Sequence, residues 1–181
     1  MYDVPAFSEL PLDHQLIAEL RSDHAGECGA VQIYAGILAV SRNPEVRRFA
    51  RQHLRTELRH RRFFERWLPE GEKSRLIRVW NLAGWLLGAT SALFGARAVF
   101  ATIEAVETFV EAHYQAQIRH MRDIPALESL TNLLQEFCDD EVEHQHDAAA
   151  RLHRPNGAVG RAWASFVGAG SAAGVMIAKR V

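Results

Sequence analysis

Two stretches of this chain, TELRHRRFFERW (Thr56–Trp67) and DDEVEHQHDAAA (Asp139–Ala150), each set a Glu three residues ahead of a His: Glu57–His60 and Glu141–His144. In 181 residues with nine histidines, that repetition is the feature to explain. Positions i and i+3 of a helix share a face, so each pair can offer a carboxylate and an imidazole to one metal ion or to two adjacent ones. A single ExxH in an Arg/Glu-rich helix is a weak signal. Two copies become informative if further carboxylates reach the same height.

The surrounding sequence reads as helix throughout. Long apolar-periodic runs are broken by Pro and Gly, with no alternating runs joined by hairpin turns. Asp13 is a predicted N-cap for a first helix running to about Ser41. Asn43-Pro44 reads as N-cap and N1 of a second, continuing to Trp67. A third is expected from Ser74 to Leu93 and a fourth from Arg97 to Arg122. Pro125 opens a fifth, ending near Pro155, and the apolar run Val159–Val181 supplies a last helix. The class predicted is all-α, one domain over residues 1–181, with a core bundle over about 13–154 and a C-terminal apolar helix over about 157–180.

The first and fourth helices carry the further carboxylates, Glu27 in DHAGECGAVQIY and Glu107 in IEAVETFVEAHY. At 1.5 Å per residue, Glu27 and Glu57 both lie about 21–24 Å from the Asn43 turn. Glu107 and Glu141 lie about 24–27 Å from the Pro125 turn. Each hairpin thus levels a lone Glu with an ExxH, the ligand pattern of bundles that hold two metal ions. Tyr34 and Tyr114 each follow the lone Glu by seven residues, a faint internal repeat. On the second helix, His53, His60, Phe64 and Trp67 cluster within about 80° of Glu57, while Arg48, Arg51, Arg55, Arg59, Arg62 and Arg66 take the opposite side. Charges on an apolar face are expensive unless compensated. Two divalent ions would balance four carboxylates, and a carboxylate–imidazole donor set without thiolate suits Fe or Mn.

At these residues the sequence resembles a known family. DHAGE, IYAG, ExxH, AVE…HYQAQIR and DExEH, in this order from about Asp23 to His153, are similar to the demethoxyubiquinone hydroxylases of ubiquinone biosynthesis. The resemblance implies a ferritin-like fold on a membrane surface, O₂ activation at a di-iron centre, and hydroxylation of a polyprenyl benzoquinone ring. It places the iron ligands on Glu27, Glu57, His60, Glu107, Glu141 and His144, the same six that height selects. A reduced nicotinamide is the expected electron source. Cys28 stands where the family has an aromatic residue, Ile37 where it has Gln, and Glu104 and Glu111 flank Glu107 where it has apolar or small residues.

Other residues are read against plainer alternatives. Asp140 is expected to orient a ligand histidine such as His60. His113 and Tyr114 are candidate catalytic residues, relaying electrons from a bound reductant, with core packing as the alternative. Glu111 is taken as exposed or supporting rather than an extra ligand. His53 is expected to be a hydrogen-bonded core histidine, His146 and His153 surface residues, and the arginine stripe a solvated face.

Composition narrows the partners. The 21 Lys+Arg against 22 Asp+Glu give no field for nucleic acid. Cys28 and Cys138 form no CxxC, which weighs against iron–sulfur, zinc-ribbon and disulfide frameworks. MYDVPAFSEL lacks a basic n-region and an apolar h-region, so no signal peptide is expected. VWNLAGWLLGATSALFGA (Val79–Ala96) is 18 residues without a charge, at the lower limit for a span. With its Gly, Asn, Thr and Ser, and the need to connect two hairpins, it is expected to lie in a membrane interface with Trp80 and Trp85 at headgroup depth. The predicted setting is peripheral, on the cytoplasmic face of a bacterial inner membrane or the matrix face of a mitochondrial one. A second copy or another ubiquinone-biosynthesis protein is the expected partner. The rival functions are a ferritin-like ferroxidase and a peroxidase- or catalase-like di-metal protein.

Overall fold

The computed structural model describes residues 3–152 and 157–181. The described residues form six α-helices and no strand: α1 (His14–Val40), α2 (Pro44–Trp67), α3 (Ile77–Leu93), α4 (Ala96–Met121), α5 (Glu128–Ala150) and α6 (Ala158–Ala178). The termini follow local chemistry. Asp13 Oδ1 accepts the Leu16 amide at 2.8 Å, and Asn43 Oδ1 accepts those of Glu45 and Val46 at 2.9 and 3.2 Å. These side chains satisfy amides that the first turn leaves free. Pro44 at the start of α2 forfeits an N–H that has no intrahelical partner anyway.

Three boundaries differ from the sequence expectation. The third helix begins at Ile77 rather than Ser74, because the Ser74 hydroxyl accepts the Leu76 amide and the Trp80 indole N–H instead of letting the turn propagate. Pro125 opens a short 3-10 turn, Pro125–Leu127, before α5 starts at Glu128. The fifth helix stops at Ala150; its expected end near Pro155, like His153, lies outside the described residues.

Two antiparallel hairpins, α1/α2 and α4/α5, meet so that apolar residues fill both ends of the space between them. One end holds Ile37, Val46, Phe49, Val99, Phe100 and Ile103; the other holds Leu20, Phe64, Met121, Leu130, Leu134 and Phe137. The α3 crossover lies along α1 at near backbone contact. A Cβ on Gly88 would fall 1.9 Å from the Ile33 carbonyl, and one on Gly36 2.2 Å from that of Trp85. Only glycine permits that approach. Gly95, with φ +93°, makes the turn into α4.

The last helix is pinned at both ends. Trp163 Nε1 donates to Thr102 Oγ1 at 2.8 Å, Lys179 Nζ pairs with Glu19 at 2.6 Å, and the Arg75 amide donates to the Val181 carbonyl at 3.1 Å. Outward faces of α3 and α6 leave Leu82, Leu86, Leu93, Phe94, Val159 and Phe166 exposed. No helix among the described residues is long and apolar enough to cross a membrane. Trp80 does not join that outer face: its indole is tied to Ser74 and its ring lines an internal cavity, whereas Trp85 stays partly exposed.

Candidate metal centre

Between the two apolar ends, each hairpin helix turns a titratable side chain inward. Glu27 comes from α1, Glu57 and His60 from α2, Glu107 from α4, Glu141 and His144 from α5, and all six are buried. They fall into two groups, Glu27–Glu57–His60–Glu141 and Glu57–Glu107–Glu141–His144, each with its donor atoms within 4.8 Å of one another. Glu57 and Glu141 belong to both. A lone Glu and the His of its own hairpin complete each group, so every residue selected from sequence height arrives at one place.

The donor atoms are aimed at common points. His60 Nδ1 lies 3.1 Å from Glu141 Oε1 and 3.6 Å from Glu27 Oε2. His144 Nδ1 lies 3.0 Å from Glu141 Oε2 and 3.1 Å from Glu57 Oε1. Yet Glu27 Oε2, Glu57 Oε1 and His60 Nδ1 are buried without a hydrogen-bond partner. Such atoms are costly to leave unsatisfied. Oxygen and imidazole donors converging in this way fit two first-row divalent ions.

The electrostatics express the same crowding. Burial, then the Glu141 charge, pushes Glu57 up to about 8. Burial with the Glu141 and Glu57 charges carries Glu107 well above the usual range. Burial acts upward on Glu141 too, but the adjoining His144 and His60 rings outweigh it and hold that carboxyl at about 2. His144 rises to about 11, because its carboxylate partners Glu141 and Glu57 overcome the burial that favours its neutral form.

Surrounding residues fix the donors. His60 Nε2 meets Asp140 Oδ2 at 2.9 Å, as expected for an orienting carboxylate, and Arg59 Nη2 reaches the same oxygen at 2.6 Å. The His60 ring stacks on Phe137 with centroids 4.0 Å apart. With Nε2–H given to Asp140, the Nδ1 lone pair is free to face the cluster. His53 is the buried core histidine expected, 2.8 Å from Asp147 and 4.2 Å from the His144 ring. Burial pushes it down to about 4, so it packs as a neutral ring.

The tyrosine repeat has a reciprocal geometry that sequence reading did not foresee. Tyr34 of α1 donates to Glu107 of α4 at 3.3 Å, and Tyr114 of α4 donates to Glu27 of α1 at 2.6 Å. Seven-residue spacing was the available signal. His113 lies one residue away from this shell: its Nε2 is 3.0 Å from Asp23 and 3.3 Å from Ser22, and Gln117 also donates to Asp23 at 2.7 Å. Glu111 is not at the cluster; it accepts from Gln115 on the exposed side of α4. His146 is exposed, and so are Arg48, Arg51, Arg55, Arg59, Arg62 and Arg66.

A cavity of about 620 Å³ ends on Glu27, Glu57, Glu107 and Glu141. His113 and Tyr114 line it near the cluster, and its walls are otherwise mostly apolar side chains of α1, α3, α4 and α6. Leu86 and Phe166 belong both to this lining and to the exposed apolar face, so the cavity links the acidic cluster to that surface.

These features define a class: an all-α bundle whose inward carboxylates and imidazoles can hold a pair of metal ions beside an apolar cavity. The family model described as "Ubiquinone biosynthesis protein COQ7" matches residues 14–178, and the chain belongs to that family. It is 38% identical over 154 residues to the NADPH-dependent 3-demethoxyubiquinone 3-hydroxylase of Dictyostelium discoideum, covering 80% of this chain and 71% of that protein. The human protein of the same name is 36% identical, with 71% of this chain and 60% of its own length covered. The 3-demethoxyubiquinol 3-hydroxylase of Rhodospirillum rubrum is 35% identical, with 70% and 60% covered. The chain thus spans about 60–71% of the length of these relatives.

Proposed function

We propose that this protein is an O₂-dependent di-iron hydroxylase, with a ferritin-like bundle, that acts on the ring of a demethoxy polyprenyl benzoquinone. The observation that carries the reading is the apolar cavity ending on four buried carboxylates of the six-residue cluster. A long isoprenoid substrate needs such a route; a ferroxidase, whose substrate is a hydrated ion, does not. The names of the relatives, hydroxylases of demethoxyubiquinone or demethoxyubiquinol, agree in substrate class.

In this mechanism Glu27, Glu57, His60 and Glu141 would form one ion's donor group, and Glu57, Glu107, Glu141 and His144 the other's. Iron bound there would supply the reductive activation of O₂. The chain's own contribution is placement and charge. Four carboxylates would neutralise two divalent ions in a buried site, so no net charge would be stranded there. The Asp140–His60 contact fixes the imidazole tautomer. Tyr114 holds Glu27 through its hydroxyl, and His113 beside it faces the cavity from a network with Asp23 and Gln117. These two residues lie between the cavity and the cluster, where they would relay electrons from a bound reductant, a reduced nicotinamide supplying the two electrons of each turnover. The relatives described as NADPH-dependent agree with that electron source.

The exposed apolar residues of α3 and α6 suit a membrane surface, where the cavity would meet lipid-dissolved quinone. The setting proposed is the cytoplasmic face of a bacterial inner membrane or the matrix face of a mitochondrial one, with residues 1–181 acting as one unit. A second copy or another protein of ubiquinone biosynthesis would share that surface.

The test is turnover of the iron-loaded, reduced protein under ¹⁸O₂ with a demethoxy-benzoquinone. One labelled oxygen should appear on the ring, and Glu107→Gln should abolish turnover while helicity is retained. Rapid oxidation of excess Fe(II), with unlabelled or absent quinone product, would transfer the assignment to iron oxidation.

A further inference from the structure

A second group of metal-type donors lies outside the six-residue cluster. His24 and Cys28 stand one turn apart on α1 and are both buried, with relative exposure of 3% each. Glu65 of α2 faces them, and the three donor atoms lie within 4.8 Å of one another. We propose that His24, Cys28 and Glu65 form a separate mononuclear site for a borderline-soft divalent ion of the zinc type.

Three observations carry this. The first is distance. Zinc holds thiolate sulfur at about 2.3 Å and imidazole nitrogen at about 2.0–2.1 Å, so a tetrahedral angle separates the two donors by about 3.5 Å. His24 Nε2 and Cys28 Sγ are 3.6 Å apart. Helical i,i+4 spacing sets both side chains on one face and delivers that separation without rearrangement.

The second is an unmet polar atom. His24 Nδ1 is buried and has no hydrogen-bond partner. Nδ1 is not the nitrogen set beside the thiol; its lack of a partner means that no core hydrogen bond fixes the ring, so nothing except the thiol competes with an ion for Nε2.

The third is access. A cavity of about 420 Å³ is lined by His24, Cys28, Glu65, Glu70 and Lys73 among others, so an ion can enter and a water can complete a fourth position. Of the neighbouring cations, Lys73 is engaged elsewhere and Arg61 shares Glu65 with the site. Arg61 Nε meets Glu65 Oε1 at 3.2 Å, and Lys73 Nζ pairs with Glu70 and donates to the Glu65 carbonyl at 2.9 Å. A carboxylate has about four lone-pair positions, so Glu65 can keep Arg61 and still coordinate.

The donor set separates this site from the other cluster, which contains no sulfur. Binding would displace the Cys28 thiol proton to solvent and tie α1 to the far end of α2. Because Glu27 and Cys28 are adjacent on α1, an ion here would brace the segment that positions Glu27. The inference does not depend on the hydroxylase reading.

Cobalt is the probe. Co²⁺ added to the full-length metal-free protein fills both kinds of site, but only a thiolate ligand gives a sulfur-to-cobalt charge-transfer band. The wild-type protein should show that band, Zn²⁺ should discharge it, and Cys138→Ser should retain it. Cys28→Ser should lose it together with one bound ion per chain. If Cys28→Ser does not fold, Glu65→Gln at an exposed position carries the test, with affinity for the band-forming ion weakened by about tenfold or more. A wild-type protein without the band, a band that survives Cys28→Ser, or a Glu65→Gln affinity equal to wild type would overturn the site.

Discussion

The contact of His60 Nε2 with Asp140 leaves Nδ1 as the imidazole nitrogen that faces the acidic cluster. Asp140 is partly exposed and also held by Arg59, so its replacement opens no cavity in the apolar core. Loss of such a supporting carboxylate typically weakens metal affinity by about 10–100-fold. Asp140→Ala should do so in a chelator competition, and Asp140→Asn, which can still accept from Nε2–H, should do so less. Equal affinity in all three proteins would remove Asp140 from the site. The cluster also makes a pH prediction. Glu57 and His144 have pKa values raised on folding, to about 8 and about 11. Protons bound by the metal-free fold therefore favour it at low pH, and that stability is lost as pH rises through these values. Metal must displace the same protons, so affinity should rise from about pH 6 to about pH 8, with proton release measurable by calorimetry in buffers of different ionisation enthalpy. A flat affinity over that range would contradict the electrostatic description. The six inward residues were legible because helical period and hairpin length are both properties of spacing. Tyr34–Glu107 and Tyr114–Glu27 were not, because each bond crosses between hairpins, and nothing in local spacing states how two hairpins face one another.

Elements are governed here by backbone approach as much as by side-chain burial. Gly36 and Gly88 let α1 and α3 cross at a separation that no Cβ allows, which holds the crossover helix against the cavity wall. Gly88→Ala must push α3 from the Ile33 carbonyl, and overpacking of this kind costs about 1–3 kcal/mol. Gly168→Ala on α6 meets nothing within 4 Å and should instead gain helix propensity, about 0.8–1.0 kcal/mol. Denaturant unfolding of the two variants should move in opposite directions. A Gly88→Ala protein as stable as wild type would mean that α3 is not seated as described. The caps at Asp13 and Asn43-Pro44 were readable because they are local chemistry. The start of α3 was not, since it turns on the Ser74 hydroxyl capturing both the Leu76 amide and the Trp80 indole. That same capture takes Trp80 out of the outer face to which hydropathy alone assigns it.

At the scale of the whole molecule, the outer face and the cluster are two ends of one passage. Leu86 and Phe166 stand at the surface end, and the carboxylates stand at the other. If a long-tailed quinone uses that passage, narrowing it at its α6 wall should obstruct the tail without touching the acidic cluster. Gly170 lines the cavity, and a Cβ placed there meets nothing within 4 Å. Gly170→Leu therefore adds bulk to the passage without backbone conflict and with better helix propensity than glycine. Forcing a tail past an added leucine should cost about 1–3 kcal/mol, or about five- to 150-fold in kcat/KM. A short-tailed analogue, whose ring reaches the cluster without filling the passage, should lose much less, and the metal content should match wild type. Steady-state kinetics with the two substrates provides the comparison. Equal losses for both would show that the ring arrives by another path, and no loss for either would show that the cavity is not the substrate route.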